Sequence, residues 1–292
     1  MFAAGLPAPA LVRVVRNGVV ESAHSGHVAV CDPSGAVVAA LGDAELPTYV
    51  RSAVKPFQAL AILELLEQAG VTLDVDGLAI GCASHDGTEA HQIEAARLLA
   101  EAGLDEAALQ CPPALPKDLP TILDQRRPEP LAHNCSGKHA AFLLAHTAIG
   151  EPPASYLDTA SQLQRRVRDH LAEVSGATPT GPGIDGCGAP AWVLPLRGLA
   201  TGFARMAVAG DGHLLRVRAA MTARPDLVGG EEAFDTQFMR HDPRVVAKRG
   251  AEAVLAAGLD RAGAPVGVAI KIVDGGARAD GPVMAAVLEV LG

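Results

Sequence analysis

Hydrophobic positions alternate with polar ones near both ends of the chain and follow a helical spacing between them. The alternation predicts strands over residues 11–16, 19–20, 26–31, 36–41 and 266–273, with an Asp-Pro-Ser-Gly turn at 32–35. The helical spacing predicts helices over residues 54–68, 87–102, 138–148, 155–173, 195–209 and 283–291. We interpret residues 78–83 as a buried strand or strand end, and the proline-rich segment 111–132 and glycine-rich segment 181–188 as loops.

Strands at both ends of the chain enclose a helical middle. This order predicts an α+β fold in which both chain ends contribute to one antiparallel sheet. No internal repeat, low-complexity tract or long linker interrupts the pattern. We therefore expect a single domain over residues 1–292.

Composition narrows the class of protein. The chain carries 24 basic and 33 acidic residues, a formal charge of −9, with no basic run longer than a pair, which argues against nucleic acid as a partner. No apolar run approaches the ~20 residues that span a bilayer, so no membrane partner is expected. Without a basic stretch ahead of an apolar one at the N-terminus, we expect no secretory signal and a cytoplasmic location.

Cysteine and lysine are both informative because they are few. Five cysteines make a disulfide framework improbable in a chain of this length, so each sulfur is expected to be buried, catalytic or metal-binding. The 24 basic residues include only five lysines, at positions 55, 117, 138, 248 and 271. An ammonium can lose its proton whereas a guanidinium cannot, so lysines retained against an arginine-rich background are candidates for acid–base work. Lys117 and Lys271 are interpreted as exposed surface charges.

The segment Arg51 to Lys55 contains the spacing Ser-x-x-Lys at the start of a predicted helix. Residues three apart share a helix face, so the hydroxyl of Ser52 and the amine of Lys55 are expected to meet. A neutral amine beside a serine can accept its proton and make it a nucleophile.

A second polar cluster covers residues 81–87 and contains Ser84. A corner that leads into a helix exposes side chains and backbone N–H groups, which suits a nucleophile or an oxyanion hole. The alternative is a helix N-cap, most of all for Asp86.

Two further segments contain cysteine beside other ligand-type residues, at 133–139 and 183–188. Cys135 and Cys187 can converge on zinc, or they can be two buried free thiols. The sequence Lys248-Arg249-Gly250 resembles the Lys-Thr-Gly element of serine–lysine active sites and is expected at the entry to a strand.

Taken together these motifs resemble one family over nearly the whole chain. The segments that carry the resemblance are RSAVKPFQAL, CASHDGTEAHQ, HNCSGKHAAFL, GIDGCGAPAWVLPL, VVAKRGAEAV and GVAIKIVDGGARA. They are similar to the rhizobial-type L-asparaginases, also called the asparaginase II family. The resemblance implies a fold like that of serine β-lactamases and glutaminases, hydrolysis of the side-chain amide of L-asparagine, and a homodimer.

The resemblance also implies roles for individual residues. It implies two serine–lysine tandems, Ser52 with Lys55 and Ser84 with Lys248, with Lys271 as a rival for the second lysine. Ser52 is the favoured nucleophile. Arg249 stands where relatives carry a small residue.

The resemblance further implies a zinc site and a substrate-binding group. The zinc ligands fall on Cys135, Lys138 and Cys187, and the metal is expected to position substrate rather than to catalyse. Asp185 and His139 border that site and are expected to bind substrate. Arg51 is a candidate anchor for the substrate carboxylate through paired hydrogen bonds.

Two other functions fit parts of the same pattern. A penicillin-recognising hydrolase shares Ser-x-x-Lys and Lys-x-Gly, but the chain contains no Ser-Asp-Asn element. A zinc-containing amino-acid-binding protein without catalysis would need only the cysteine segments.

Overall fold

The computed structural model describes residues 7–261 and 263–292, and the two ends of the chain meet in one antiparallel sheet. The strands of this sheet run in the order β1-β2-β9-β8-β7, and β3 pairs with the second half of β2. Gly26 to Cys31 of β2 pair with Gly267 to Ile272 of β9, so the predicted pairing of the two ends is confirmed. The strands are β1 (Ala10–Arg16), β2 (Val19–Cys31), β3 (Val37–Leu41), β7 (Val245–Gly250), β8 (Val254–Leu259) and β9 (Val266–Ile272).

A smaller sheet of three antiparallel strands lies beside the candidate site. Its order is β4-β6-β5, where β4 is Pro47–Tyr49, β5 is Thr180–Ile184 and β6 is Pro190–Pro195. β4 ends directly before the segment that holds Ser52, and β5 ends directly before Asp185. The small sheet therefore brings two parts of the chain that are distant in sequence to one place.

Eleven helices in the described part of the chain complete the fold. They are α1 (Lys55–Gln68), α2 (Val75–Gly81), α3 (Glu89–Glu101), α4 (Leu119–Gln125), α5 (Ser136–Ala148), α6 (Gln162–Ser175), α7 (Leu196–Val208), α8 (Gly212–Ala223), α9 (Pro225–Gly229), α10 (Phe234–His241) and α11 (Asp280–Leu291). α1 is buried around almost its whole circumference because α5, α6 and α8 all pack against it. A helix in that position needs apolar residues on most sides, and the central residues of α1 are mainly Ala, Leu and Ile, whereas Glu67 and Gln68 at its end are exposed.

α7 packs on the main sheet at very close range. A side chain at Gly267 of β9 would overlap the backbone of α7 at Ala200 and Ala204, and one at Gly258 of β8 would overlap Phe203. Only glycine lets a helix backbone approach strands this closely. These two glycines thus set the spacing between helix and sheet.

The prediction of a buried strand over residues 78–83 is wrong. Residues 75–81 form helix α2, whose first turn is capped by the Asp74 carboxylate accepting from the N–H of Gly77 at 2.8 Å. Both a core strand and a short buried helix read as an uninterrupted apolar run, so periodicity does not separate them. The capping aspartate is the local signal that favours the helix.

Other boundaries also differ from the sequence pattern. The predicted loop 111–132 contains the short helix α4, capped by Asp118, and the loop 181–188 begins as strand β5. The helix predicted over 155–173 starts only after Ser161, whose hydroxyl caps it. The pattern predicts no element over residues 212–241, where α8, α9 and α10 lie.

No helix in the described ranges has the length and apolar character needed to cross a membrane.

Candidate active site

A cavity of about 480 Å³ opens where the small sheet, the start of α1, the start of α5 and the end of β7 converge. Most of the residues singled out in the sequence lie on its wall. The lining residues include Arg51, Ser52, Ser84, Lys117, His133, Asn134, Cys135, Asp185, Cys187, Glu232, Phe234, Arg249, Glu252, Ala253 and Asp280.

Three of these residues, none of them glycine, have φ angles in the left-handed region. Arg51 has φ +48°, Glu252 has φ +62° and Ala253 has φ +51°. Such conformations cost of order 1–3 kcal/mol each and persist where the surrounding structure imposes them. Their clustering on one cavity supports a functional role for it.

Ser52 lies in a 3₁₀ turn, Arg51–Val54, that leads into α1. Ser52 lines the cavity, and its hydroxyl makes no hydrogen bond to any described residue. A side chain at Gly250 of β7 would lie 3.3 Å from the Ser52 backbone nitrogen, so the strand passes close beside the turn. The first N–H groups of a helical segment have no partner within it, which leaves the N–H of Ser52 available to an oxyanion.

Lys55 is buried, and its amine points away from the surface toward the end of α2 and the start of α5. The amine donates to Ser84 Oγ at 3.1 Å, to Cys135 Sγ at 3.1 Å and to the carbonyl of Ala83. These three contacts do not include the Ser52 hydroxyl. Helical spacing predicts the Ser52–Lys55 contact, but the chain turns from a 3₁₀ segment into α1 between the two residues, and the tertiary structure pairs Lys55 with Ser84 instead.

Ser84 follows the end of α2 and is held by its backbone. Its N–H donates to the carbonyl of Val228 at 2.9 Å, and its own carbonyl accepts from the Arg249 guanidinium at 3.2 Å. The N-cap of α3 is Thr88, so the capping role expected for Asp86 is wrong. Asp86 instead forms an ion pair with Arg249 at 3.2 Å.

Lys248 is not placed as the second tandem requires. It lies within β7, fully buried, and its amine donates to Asp235 Oδ2 at 2.9 Å and to the carbonyl of Arg249 at 3.1 Å, with no hydrogen bond to Ser84. Burial lowers the pKa of Lys248 to about 8, although the Asp235 carboxylate opposes that shift. The rival Lys271 lies outside the cavity lining, and its amine donates to the carbonyl of Glu252.

Arg51 and Asp185 form a two-pronged ion pair at the cavity wall. The guanidinium donates to both carboxylate oxygens at 3.0 Å. Burial alone would raise the pKa of Asp185, but the hydrogen bonds and charge of Arg51 outweigh it, and that pKa is lowered. The pair presents a positive and a negative group side by side. The α-carboxylate and α-ammonium of an amino acid carry the complementary charges.

The three expected zinc ligands are brought together by the start of α5 and the loop after β5. The Lys138 amine lies 3.3 Å from Cys187 Sγ, and a hydrogen bond from Cys187 lowers the pKa of Cys135 well below its ordinary value. Thiolate sulfur is a usual zinc ligand. Among the described residues no group of three His, Cys, Asp or Glu side chains is arranged for a metal. A zinc site here would depend on the Lys138 amine as third donor, and that amine binds a metal only after it loses a proton.

His139 lies behind this group rather than on the cavity wall. It is completely buried, its Nδ1 atom is 2.6 Å from the Tyr156 hydroxyl, and its Nε2 atom has no partner among the described residues. Burial, reinforced by the charge of Lys138, lowers its pKa to about 3, so the ring is neutral. The expected contact between His139 and substrate is therefore corrected: a substrate in the cavity does not reach it.

The structure adds residues that the sequence interpretation passed over. His133 and Asn134 stand directly before Cys135 in a quoted motif, so a signal for them existed. Lys117, interpreted as a surface charge, stands at the cavity rim. Asp280 carried no sequence signal of its own: it directly follows the segment GVAIKIVDGGARA and begins the terminal helix.

Comparison with solved structures shows the class of fold. A protein described as a beta-lactamase from Mycobacterium bovis matches with a TM-score of 0.54 at 15% identity, over 98% of this chain and 96% of that one. Mglu in its native form matches with a TM-score of 0.52 at 14% identity, over 91% of this chain and 64% of Mglu. Mglu in its L-glutamate binding form matches with a TM-score of 0.51 at 15% identity, over 91% of this chain and 61% of Mglu. The chain thus spans less than two thirds of the length of Mglu, and the expected β-lactamase-like α+β fold is confirmed.

Sequence comparison shows the family. No curated protein matches the chain. The model of the L-asparaginase II family matches residues 12–292. The chain belongs to the L-asparaginase II family.

Proposed function

We propose that this protein hydrolyses the side-chain amide of L-asparagine to L-aspartate and ammonia through a serine nucleophile. The observation that carries the proposal is the 3.1 Å contact between the Lys55 amine and Ser84 Oγ on the wall of a cavity that Ser52 also lines. A lysine amine paired with a hydroxyl is the arrangement that moves a proton to and from a serine. Membership of the L-asparaginase II family supports the substrate.

In this mechanism Ser52 attacks the amide carbon. Its hydroxyl is free and faces the cavity, whereas the Ser84 hydroxyl is already bonded to Lys55. The Ser52 proton passes through the Ser84 hydroxyl to Lys55, which accepts it only once its own amine has lost a proton, and the N–H of Ser52 stabilises the oxyanion. Return of that proton to the leaving nitrogen releases ammonia, and water hydrolyses the acyl-enzyme.

The Arg51–Asp185 pair binds the amino-acid end of the substrate. The α-carboxylate exchanges for Asp185 on the guanidinium, and the α-ammonium pairs with the Asp185 carboxylate. Because substrate and protein each contribute one positive and one negative group, the single Arg51–Asp185 pair is replaced by two pairs and no charge is left without a partner. Lys248 acts in this scheme by supporting the wall near Arg249 rather than by contacting substrate.

Zinc belongs to the proposal as a positioning cofactor. Cys135, Lys138 and Cys187 would hold it, and when bound it would supply a positive charge that positions substrate. Metal analysis of the purified protein tests this part. Zinc that is present in the wild type and lost in Cys187→Ala supports it; a wild type that binds no zinc on equilibration with the ion refutes it.

The function is tested by one assay with three substrates. Ammonia release from L-asparagine is compared with release from L-glutamine and with cleavage of a chromogenic β-lactam. Asparagine turnover that exceeds the other two supports the proposal. Preferential β-lactam cleavage would show a penicillin-recognising hydrolase, and amino-acid binding without turnover would show a binding protein. The homodimer and the cytoplasmic location stay predictions, and light scattering at several protein concentrations tests the first.

A further inference from the structure

The cavity is larger than the proposed substrate requires. Cavities of roughly 300–1,000 Å³ usually enclose drug-sized ligands, and this one measures about 480 Å³. The groups given roles above, Arg51, Ser52, Ser84, Cys135, Asp185 and Cys187, occupy only part of its wall. The remaining space is bounded by other charged and aromatic side chains.

That remaining wall, which we call the distal wall, comes from four separate parts of the chain. Lys117 belongs to the 111–132 loop and Phe234 to the start of α10. Arg249 lies at the end of β7, and Asp280 begins α11. Because these residues are far apart in sequence, only the tertiary structure brings them to one cavity.

Asp280 is a buried carboxylate without a cation. Only 5% of its surface is exposed, its Oδ1 atom accepts from the N–H of Gly281 at 2.6 Å, and no described lysine, arginine or histidine forms an ion pair with it. Burial raises the pKa of Asp280 to about 6, against the opposing charge of Arg249. A buried charge is costly unless it is paired. This carboxylate can therefore accept a hydrogen bond or an ion pair from a bound ligand.

Lys117 is the positively charged counterpart of Asp280 on the distal wall. Its backbone N–H is fixed by the carbonyl of Asp86 at 2.7 Å, but its amine makes no hydrogen bond or ion pair with a described residue. The cavity walls and the nearby Arg249 lower its pKa. Arg249 itself is occupied, since one of its nitrogens donates to Asp86 and to the carbonyls of Ser84 and Gly229. Lys117 is therefore the cation of the distal wall that is free for a ligand.

We propose that the distal wall is a subsite for a substituent on the amide nitrogen, and that the protein also cleaves β-aspartyl dipeptides, in which that nitrogen carries a second amino acid. Lys117 binds the carboxylate of the second amino acid, and Phe234, which is 42% exposed, contacts its side chain. Asp280 accepts from the amide N–H and pairs with the ammonium that replaces it. This inference rests on the proposed function, because the acyl half of the dipeptide is the same β-aspartyl group that Ser52 takes from L-asparagine.

The reaction balances as a hydrolysis. Ser52 forms an ester with the β-carbonyl carbon as the carbon–nitrogen bond breaks, and the leaving nitrogen takes the serine proton. The second amino acid leaves at that step. Water then splits the ester, giving aspartate and regenerating the Ser52 hydroxyl, so that one water is consumed for each dipeptide cleaved. No oxidant, reductant or further reactant is needed.

The test compares β-aspartyl-phenylalanine with L-asparagine in the full-length protein and the variants Lys117→Glu and Arg216→Glu. Arg216 is an exposed residue of α8 outside the cavity lining, so its variant makes the same change of charge without touching the distal wall. Phenylalanine release is followed by chromatography and ammonia release by a coupled assay. We expect wild type to cleave the dipeptide, and Lys117→Glu to raise its KM about tenfold or more while asparagine turnover stays within about twofold. Arg216→Glu is expected to change neither.

Three results would overturn the inference. If wild type hydrolyses asparagine but releases no phenylalanine, the subsite is refuted while the proposed function stands. If Lys117→Glu weakens both substrates equally, or Arg216→Glu has the same effect as Lys117→Glu, the selectivity does not come from the distal wall. If neither substrate is cleaved, the failure lies with the proposed function, and the inference built on it falls as well.

Discussion

The amine of Lys55 lies 3.1 Å from the hydroxyl oxygen of Ser84, although 29 residues separate them in the chain. The same amine contacts Cys135, which connects the proposed serine chemistry with the candidate metal site. A single buried lysine thus joins α1, the segment after α2 and the start of α5 at the wall of the cavity.

Two substitutions at Lys55 test its positive charge and its ability to transfer a proton separately. Lys55→Arg keeps a cation in place but cannot lose a proton at neutral pH, so we expect at least about a hundredfold loss of turnover. Lys55→Met removes both properties and is expected to lose as much. Thermal unfolding measured alongside shows whether the fold survives. Turnover by folded Lys55→Arg at the wild-type rate would contradict proton transfer by this residue.

The two serines are distinguished by the covalent intermediate. We expect Ser52→Ala to lower kcat by at least about a thousandfold and to form no acyl-enzyme, because the attacking oxygen is gone. Ser84→Ala is expected to be slower than wild type yet still acylated by asparagine, which intact-protein mass spectrometry after rapid acid quench detects. Ser34→Ala, in the exposed turn before β3, is the matched control and should behave as wild type. An acyl group on Ser52→Ala but not on Ser84→Ala would exchange the two roles.

The buried ion pair between Lys248 and Asp235 is expected to matter for stability. Both side chains are fully buried, and the amine and the carboxylate oxygen are 2.9 Å apart. Asp235→Ala leaves a buried charge without its partner, which costs about 3–5 kcal/mol in the free energy of unfolding. Urea denaturation measures the difference. A loss below about 1 kcal/mol would show that the pair contributes little.

Lys248 also gives the stability a defined dependence on pH. Its pKa is about 8 in the folded protein against an ordinary 10.5, so the unfolded chain binds more protons between those values. Stability contributed by this group therefore rises as pH increases from about 8 to about 10.5, by up to about 3 kcal/mol. Comparing wild type with Lys248→Met across that range isolates the effect. A difference between the two proteins that is constant with pH would rule out the shift.

The close approach of α7 to the sheet predicts a strong effect at one glycine. Gly267→Ala places a methyl group against the backbone of Ala200, and we expect a loss of about 1–3 kcal/mol or more in the free energy of unfolding. Gly210→Ala is the control, because nothing lies within 4 Å of the position where its methyl group would stand. Equal stability of the two variants would show that α7 moves away at no cost.

Local sequence determined much of this protein. The mostly apolar pattern at both chain ends placed β2 and β9, although their paired segments are buried at nearly every position rather than at every second one. Most of the residues that line the cavity were identified from Ser-x-x-Lys, the cysteine segments and the family resemblance. Each of these signals is local or is read directly from residue identity.

The tertiary structure alone decided which of these residues meet. Lys55 bonds Ser84 rather than Ser52, Lys248 bonds Asp235 rather than Ser84, and His139 lies behind the cavity. Lys117 and Asp280, without a motif, reach the cavity because loop and terminal helix fold over it. Helical spacing describes one segment only, whereas the partner of a buried charge is selected by every segment that packs around it.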